Sequence, residues 1–370
     1  MIYAVLVALG LWASLLLAPW QAWRCREHLE PEPGGSQPAP DNDLTILIPA
    51  RNEARVIGAT LTALAIDAPG IPLVLVDDES TDDTTRIARK IGGSRLQLIQ
   101  GTPTPPGWAG KLWALEQGMA RITTPWVLLL DADIRLAPGM IRALRRKAEE
   151  GYSLVSVLAH PRFEGFWARL LLPAYVFFFK LVYPFALSNR PRGSIAAAAG
   201  GVVLLRCETL AAAGGFSAWR DALIDDCTLA ARIKRHGEPI WLGLTRGAHS
   251  LRRQGFAAIA SMVARSAYVQ LHESALLLFA TTLLMLFAFW IPLVALTWQG
   301  PTRWMGVAAL AAMGLGYLPT LRYYHRRILG AGLLPAVASI YLVFTWYSAL
   351  RAWSGTRSSW KGRYYRREED

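Results

Sequence analysis

Cysteine is scarce in this sequence: Cys25, Cys207 and Cys227 are the three in 370 residues, far apart and odd in number. That pattern excludes a disulfide framework and a zinc site of paired cysteines, and it suits a reducing compartment. Acidic residues are also in short supply, with 27 Asp and Glu against 39 Lys and Arg, a formal net charge of +12. Such an excess implies an anionic partner, either nucleic acid or a membrane surface. The basic residues form clusters such as Arg142, Arg145, Arg146 and Lys147, and a tail from Arg351 to Arg367, with no recognisable nucleic-acid module. A membrane is therefore expected and nucleic acid is not. There is no Gly-x-Gly-x-x-Gly after the first predicted strand, which argues against a NAD-dependent dehydrogenase. No basic segment precedes the first apolar run and no convincing cleavage site follows it, which argues against a removable signal.

Apolar sequence is what the chain has in quantity: 53% of residues are hydrophobic and 15 are Trp. Long apolar runs at both ends, flanked by aromatic residues, read as membrane segments with interfacial anchors. Residues 1–20 are expected to be a retained anchor and 21–43 a linker, whose Glu30 to Asp43 stretch is rich in Pro, Gly and Glu and has nothing to bury. Residues 44–272 alternate between apolar runs (Leu44 to Ile48, Leu73 to Val76, Leu96 to Ile99, Trp126 to Leu130) and helical stretches beginning near Asn52, Thr81, Lys111 and Pro138. This predicts an α/β domain with a mainly parallel sheet covered on both faces. Within it, Phe166 to Leu187 is interrupted by Lys180 and Pro184 and reads as a helix lying at the interface. Three further apolar stretches, Ser274 to Leu296, Trp304 to Leu321 and Leu333 to Leu350, make a C-terminal membrane domain over 273–351, followed by the basic tail 352–370. A cytoplasmic catalytic domain with three full spans would put that tail outside, against the bias of Lys and Arg. Leu333 to Leu350 is accordingly the candidate for a re-entrant or surface helix.

In open α/β sheets ligands bind beyond the carboxyl ends of the strands, and the polar residues fall there. Asp131-Ala132-Asp133 follows a buried strand. Two carboxylates so close either share a cation, as hard divalent ions bridging phosphates require, or decorate a solvated turn. Asp77 and Asp78 end another strand and precede Ser80, Thr81 and Asp83, which by themselves have the composition of a helix cap; acids before the cap are placed to accept hydrogen bonds from a base or ribose. Pro49-Ala50-Arg51-Asn52-Glu53 brings a helix start and a basic side chain to the end of the first strand, a setting for phosphate or a plain turn. Lys111, after Gly107-Trp108-Ala109-Gly110, either reaches a diphosphate or is a surface lysine.

In this order the elements resemble the family 2 glycosyltransferases of the GT-A fold, whose members read Pro-x-x-Asn-Glu, Asp-Asp-x-Ser-x-Asp-x-Thr and Asp-x-Asp; the resemblance spans about Asp43 to Leu271. It implies a Rossmann-like catalytic domain with α-helical transmembrane segments and an inverting transfer from a nucleotide diphosphate sugar, with UDP the expected nucleotide. On that reading Glu53, Asp77 and Asp78 meet the nucleoside, Pro49, Ala50, Arg51, Lys111, Asp131 and Ala132 complete the donor site, and Asp131 and Asp133 hold Mg²⁺ or Mn²⁺. Gly214-Gly215-Phe216 and Ile224-Asp225-Asp226-Cys227-Thr228-Leu229 match the Gly-Gly-Phe and Glu-Asp-x-x-Leu segments. Asp226 takes the place of the catalytic base, with Asp225 replacing the usual Glu. Gly200 and Gly201 fall where relatives line the acceptor pocket. The last motif, Gln or Arg, two residues, Arg, Trp, is reduced to Met262-Val263-Ala264-Arg265-Ser266. Arg265 remains to clamp the diphosphate, while the processive polymer-making subclass is not indicated.

The anchors on both flanks, with the Gly107 to Ala114 segment and Arg265-Ser266-Ala267-Tyr268, are similar to the bacterial hopene-associated glycosyltransferases. That implies a hopanoid or polyisoprenoid lipid acceptor and a multi-pass protein of the inner membrane with its catalytic domain in the cytoplasm. Ceramide glucosyltransferases share the layout, so a sphingoid or polyprenyl phosphate acceptor is an alternative, as is a non-catalytic scaffold with a degenerate sugar-nucleotide fold. His249 is either structural or an additional metal ligand.

Overall fold

The computed structural model describes residues 1–32, 43–222 and 224–355, and the backbone of 359–360 and 363–364. Residues 33–42 of the expected linker and most of the basic tail lie outside the described residues. Eight strands form one sheet: β1 Leu44–Ala50, β2 Leu73–Asp77, β3 Leu96–Gln100, β4 Trp126–Leu130, β5 Ile134–Leu136, β6 Leu154–His160, β7 Val202–Arg206 and β8 Ile240–Ser250. Their spatial order is β3-β2-β1-β4-β7-β6-β8-β5. The first four in that order run parallel. Beyond β4 the sheet becomes mixed, because β7 runs antiparallel to both β4 and β6, and β5 antiparallel to β8.

Every residue of β1, β2 and β4 is buried, as unbroken apolar runs covered on both faces require. Ile57, Leu61, Leu64, Ile141 and Leu144 pack on one face, and Leu112, Leu115, Ala230 and Ile233 on the other. Each such Leu or Ile contributes roughly 1.5–3 kcal/mol relative to exposure. The β1–β2 register sets Ala50 beside Asp77, and β4 ends directly before Asp131, so the polar segments leave the sheet on one side.

Two helices begin later than the sequence suggests. The first spans Ile57–Asp67, because residues 51–54 form a turn tied to the loop after β2. Asn52 stands at φ 51°, its N–H donates to Ser80 Oγ at 2.9 Å, and its Oδ1 accepts the Thr81 N–H at 2.8 Å. The second spans Thr84–Gly92. Ser80 and Thr81 are thus spent on Asn52, and Asp82 Oδ1 accepts the Thr84 N–H at 3.0 Å instead.

Helix Phe166–Val182 packs its Leu171, Leu172 and Phe177 against the apolar helices of both termini. Lys180, which looked like an interruption, is almost fully buried because its ammonium satisfies the Trp23 and Arg24 carbonyls and Thr320 Oγ1 at 3.2, 3.1 and 2.9 Å.

Three helices are long and apolar enough to cross a membrane: Ala275–Ala295, Pro301–Tyr323 and the 3₁₀-to-α segment Ile328–Trp353. The shorter helix Ile2–Leu17 packs beside them, with Trp12 Nε1 donating to the Ala288 carbonyl at 2.8 Å. Ala275–Ala295 and Leu334–Trp353 run antiparallel, since Trp290 Nε1 donates to Ser339 Oγ at 2.8 Å and Trp346 Nε1 to Thr282 Oγ1 at 3.0 Å. Trp353 meets Tyr268, its Nε1 donating to the hydroxyl at 3.1 Å. Tyr323, at the end of the preceding helix, already touches the sheet domain, its carbonyl accepting from Arg246 at 2.8 Å.

Candidate active site

An open cleft of about 1160 Å³ lies beyond the carboxyl ends of the parallel strands. Pro49 and Glu53 reach it from the end of β1, Asp131, Ala132 and Asp133 from the β4–β5 turn, and Lys111 from helix Gly110–Met119. Asp225, which begins helix Asp225–Arg235, and Arg265, which follows helix Phe256–Ala264, complete the set. These residues come from five segments spread over the sequence, yet they line one cleft.

Lys111 is the hinge of the arrangement. Its Nζ lies 2.8 Å from Asp131 Oδ1 and 3.7 Å from Asp225 Oδ2, so one ammonium joins the two acidic segments. Burial alone would lower its pKa, but Asp131, Asp225 and Asp226 outweigh burial and raise it. A small pocket next to the cleft is lined by Gly200, Asp225 and Asp226 together with Lys111 and Asp131. There the Gly200 N–H donates to Asp226 Oδ2 at 2.7 Å, and the Cys227 N–H to Oδ1 at 2.8 Å. Burial, and then the neighbouring Asp225 charge, push the Asp226 carboxyl up to about 6 against the pull of Lys111 and these two N–H groups.

Gly200 and Gly201 are not interchangeable. A Cβ on Gly200 would stand 3.2 Å from Asp226 Oδ2 and 3.3 Å from Lys111 Nζ, whereas one on Gly201 would meet Ile134 at an ordinary 3.5 Å. The Gly201 carbonyl accepts the Asp131 N–H at 3.0 Å and so fixes the start of the acidic turn.

A second charged group holds Glu53 and Asp133. Arg252 Nη2 lies 2.5 Å from Glu53 Oε1 and its Nε 3.0 Å from Asp133 Oδ2, while Ser250 Oγ donates to the same Asp133 oxygen at 3.1 Å. Sequence reasoning missed both Arg252 and Ser250. The available signal was the Arg252-Arg253 pair just after an apolar run, obscured because Gly243 and Gly247 interrupt the alternation of β8.

Ala50, Arg51, Asp77 and Asp78 do not face the open volume. Asp77 and Asp78 are almost fully buried in the wall behind it. Gln100 Nε2 donates to Asp77 Oδ2 at 2.9 Å, Arg51 lies 3.7 Å from Asp78 Oδ2, and Asp77 Oδ1 is buried with no hydrogen-bond partner among the described residues. Asn52 and Asp82 line the cleft in their place. His249 packs against His160, ring centroids 5.4 Å apart, and is not among the lining residues. Burial lowers the pKa of both imidazoles, that of His160 to about 4 with help from the adjacent His249.

Among the described residues no three His, Cys, Asp or Glu side chains converge to hold a metal unaided. Two carboxylates, Asp131 and Asp133, do edge the cleft, each steadied on one oxygen by a cation. That is the protein share expected for Mg²⁺ or a similar hard ion, which takes one or two carboxylates and completes its shell with phosphate oxygens and water.

Residues 45–212 match the family model described as glycosyl transferase family 2. The match stops before Asp225, Asp226 and Arg252. A 4,4'-diaponeurosporenoate glycosyltransferase of Staphylococcus aureus (strain USA300) is 25% identical over 338 residues, covering 87% of this chain and 88% of that protein. Among solved structures, the mannosyltransferase PcManGT from Pyrobaculum calidifontis, in complex with GDP-Man and Mn²⁺, is similar with a TM-score of 0.55 at 20% identity, covering 95% of this chain and 99% of that one. Over residues 45–212 the chain is thus similar to glycosyl transferase family 2, and its sheet domain has the GT-A fold.

Proposed function

We propose that this protein is a metal-dependent, inverting glycosyltransferase of the membrane, moving a sugar from a nucleotide diphosphate donor, UDP-linked on our reading, to a lipid acceptor of hopanoid or polyisoprenoid type. The observation that carries the proposal is the meeting of Lys111 with Asp131 and Asp225, which joins the donor-side acids to the segment bearing Asp226.

In an inverting displacement the acceptor oxygen bonds to the anomeric carbon as the bond to the diphosphate breaks, and the hydroxyl proton needs a base on the acceptor side. Asp226 is suited to that task, because a carboxylate with a pKa of about 6 is largely ionised at neutral pH and close enough to it to take a proton. Gly200 and Cys227 N–H groups orient it. Lys111 brings positive charge to the donor side, and Arg265 adds a second cation on the cleft wall. Asp131 and Asp133 would hold the divalent cation, which when bound neutralises charge on the departing diphosphate. Glu53, which lines the cleft, is the candidate for the nucleoside.

The apolar helices support a membrane location, and we propose that the sheet domain lies on its cytoplasmic side. The return of Trp353 to Tyr268 favours a re-entrant passage for 328–353, which keeps the basic tail on the same side as the catalytic domain and removes the charge conflict. The Staphylococcus relative is named for a carotenoid acid, and that name favours one alternative acceptor, a lipid-like acid instead of an alcohol.

The test is to incubate membranes containing the full chain with a panel of labelled nucleotide sugars, with Mn²⁺ or with EDTA, and to analyse the lipids. A labelled glycolipid of inverted anomeric configuration that disappears with EDTA is expected. A product cleaved by mild base would be a glycosyl ester and would select the acid acceptor. No transfer and no metal-stimulated donor hydrolysis with any sugar nucleotide would leave only a binding scaffold.

A further inference from the structure

Glu53 and Asp133 are 7% and 6% exposed, so a cationic partner offsets the cost of burying each carboxylate. Lys111 is committed to Asp131 and Asp225, and it is Arg252 that forks between Glu53 and Asp133. Unlike the groups it joins, Arg252 is not built into the sheet. It stands on the segment between β8 and helix Phe256–Ala264, which has no regular secondary structure, and its side chain is 40% exposed. The Leu251 N–H donates to the Asp133 carbonyl at 2.8 Å, so the root of this segment is pinned at the cleft while the guanidinium has room to turn.

A guanidinium and a divalent cation on one carboxylate repel each other. A planar fork of N–H donors also fits a diphosphate as well as it fits two carboxylates. We propose that Arg252 is a displaceable counter-ion for Glu53 and Asp133, exchanging Asp133 for the diphosphate of the donor when a divalent cation binds there. The inference rests on the reading of Asp133 as a metal-facing carboxylate. Its consequence is thermodynamic coupling: the cation alone must compete with Arg252, whereas the cation with a nucleoside diphosphate gives Arg252 a new partner, so each ligand strengthens the other.

The experiment is a Mn²⁺ titration of the purified full chain, followed by electron paramagnetic resonance of the free ion, with no nucleotide, with UDP and with GDP. The wild type should bind Mn²⁺ weakly alone and more tightly with a nucleoside diphosphate. Arg252→Gln keeps hydrogen-bonding capacity without the charge. It should bind Mn²⁺ alone about tenfold more tightly and lose most of the enhancement by nucleotide. Arg252→Lys keeps the charge without the fork, so it should match the wild type with Mn²⁺ alone and show only part of the enhancement. Should Arg252→Gln fail a thermal-melting check, Arg252→Lys decides, and a full wild-type enhancement in it overturns the proposal. Mn²⁺ binding by folded Arg252→Gln that is no tighter than in the wild type also overturns it, while leaving the metal reading intact. A wild type that binds no Mn²⁺ with either nucleotide overturns both.

Discussion

The Gly200 N–H points at Asp226 Oδ2 from 2.7 Å, and a Cβ on the same glycine would press on that carboxylate at 3.2 Å and on Lys111 Nζ at 3.3 Å. Gly200→Ala should therefore disturb the orientation of the base more than the fold. Misplacement of a reacting group by about 1 Å costs on the order of 10²-fold in rate, so turnover should fall by about ten- to a hundredfold with a small change in melting temperature. Gly201→Ala, whose methyl meets Ile134 at 3.5 Å, should stay near wild type in both measurements. Equal losses in the two variants would contradict this assignment.

On the proposed mechanism, Asp226→Asn removes the proton acceptor and keeps the shape. Transfer to lipid should drop by about 10²–10⁴-fold, the range for loss of a general base, while nucleotide affinity stays near wild type. Asp131→Asn and Asp133→Asn should do the reverse and weaken metal-dependent nucleotide binding first. Calorimetry with UDP and Mn²⁺, alongside product formation, separates the two patterns; similar behaviour of all three variants would remove both roles.

The raised pKa of Asp226 gives a pH dependence with a definite sign. As a base the carboxylate must be ionised, so kcat/KM should fall as pH drops through about 6. Stability runs the other way. A carboxyl whose folded pKa lies above its unfolded value of 3.8 favours the folded state below that value, and the contribution is lost as pH rises through about 6. An acidic limb near 6 in the wild type that is missing from the residual activity of Asp226→Asn is the expected outcome.

Lys111→Met takes away the cation that opposes burial and the Asp225 charge at Asp226. The acidic limb should move to higher pH, and turnover should fall at pH 7 even with saturating donor. An unshifted limb would show that Lys111 does not communicate with the base.

The apolar runs at both termini and the alternating pattern between them were sufficient to predict the layout, because burial on both faces of a sheet or in a bilayer demands continuous apolar sequence wherever the chain is placed. The acids were legible for a related reason: carboxylates at the ends of buried strands are too costly to sit there without a partner. Helix starts were less legible. Asn52 in a left-handed conformation diverted Ser80 and Thr81 from capping, and that choice depends on a neighbouring loop distant in sequence.

What the sequence by itself determined is which segments are buried, which are apolar enough for a membrane, and which residues are chemically able to bind a cation or take a proton. Only the tertiary structure decided how they are partnered: Lys111 with Asp131 and Asp225, Arg252 with Glu53 and Asp133, Trp353 with Tyr268. Burial and periodicity are local properties and leave a trace in every stretch of chain. Ion pairs and helix directions are relations between distant stretches, set by strand order and packing, and a single sequence read along its length carries no coordinate for them.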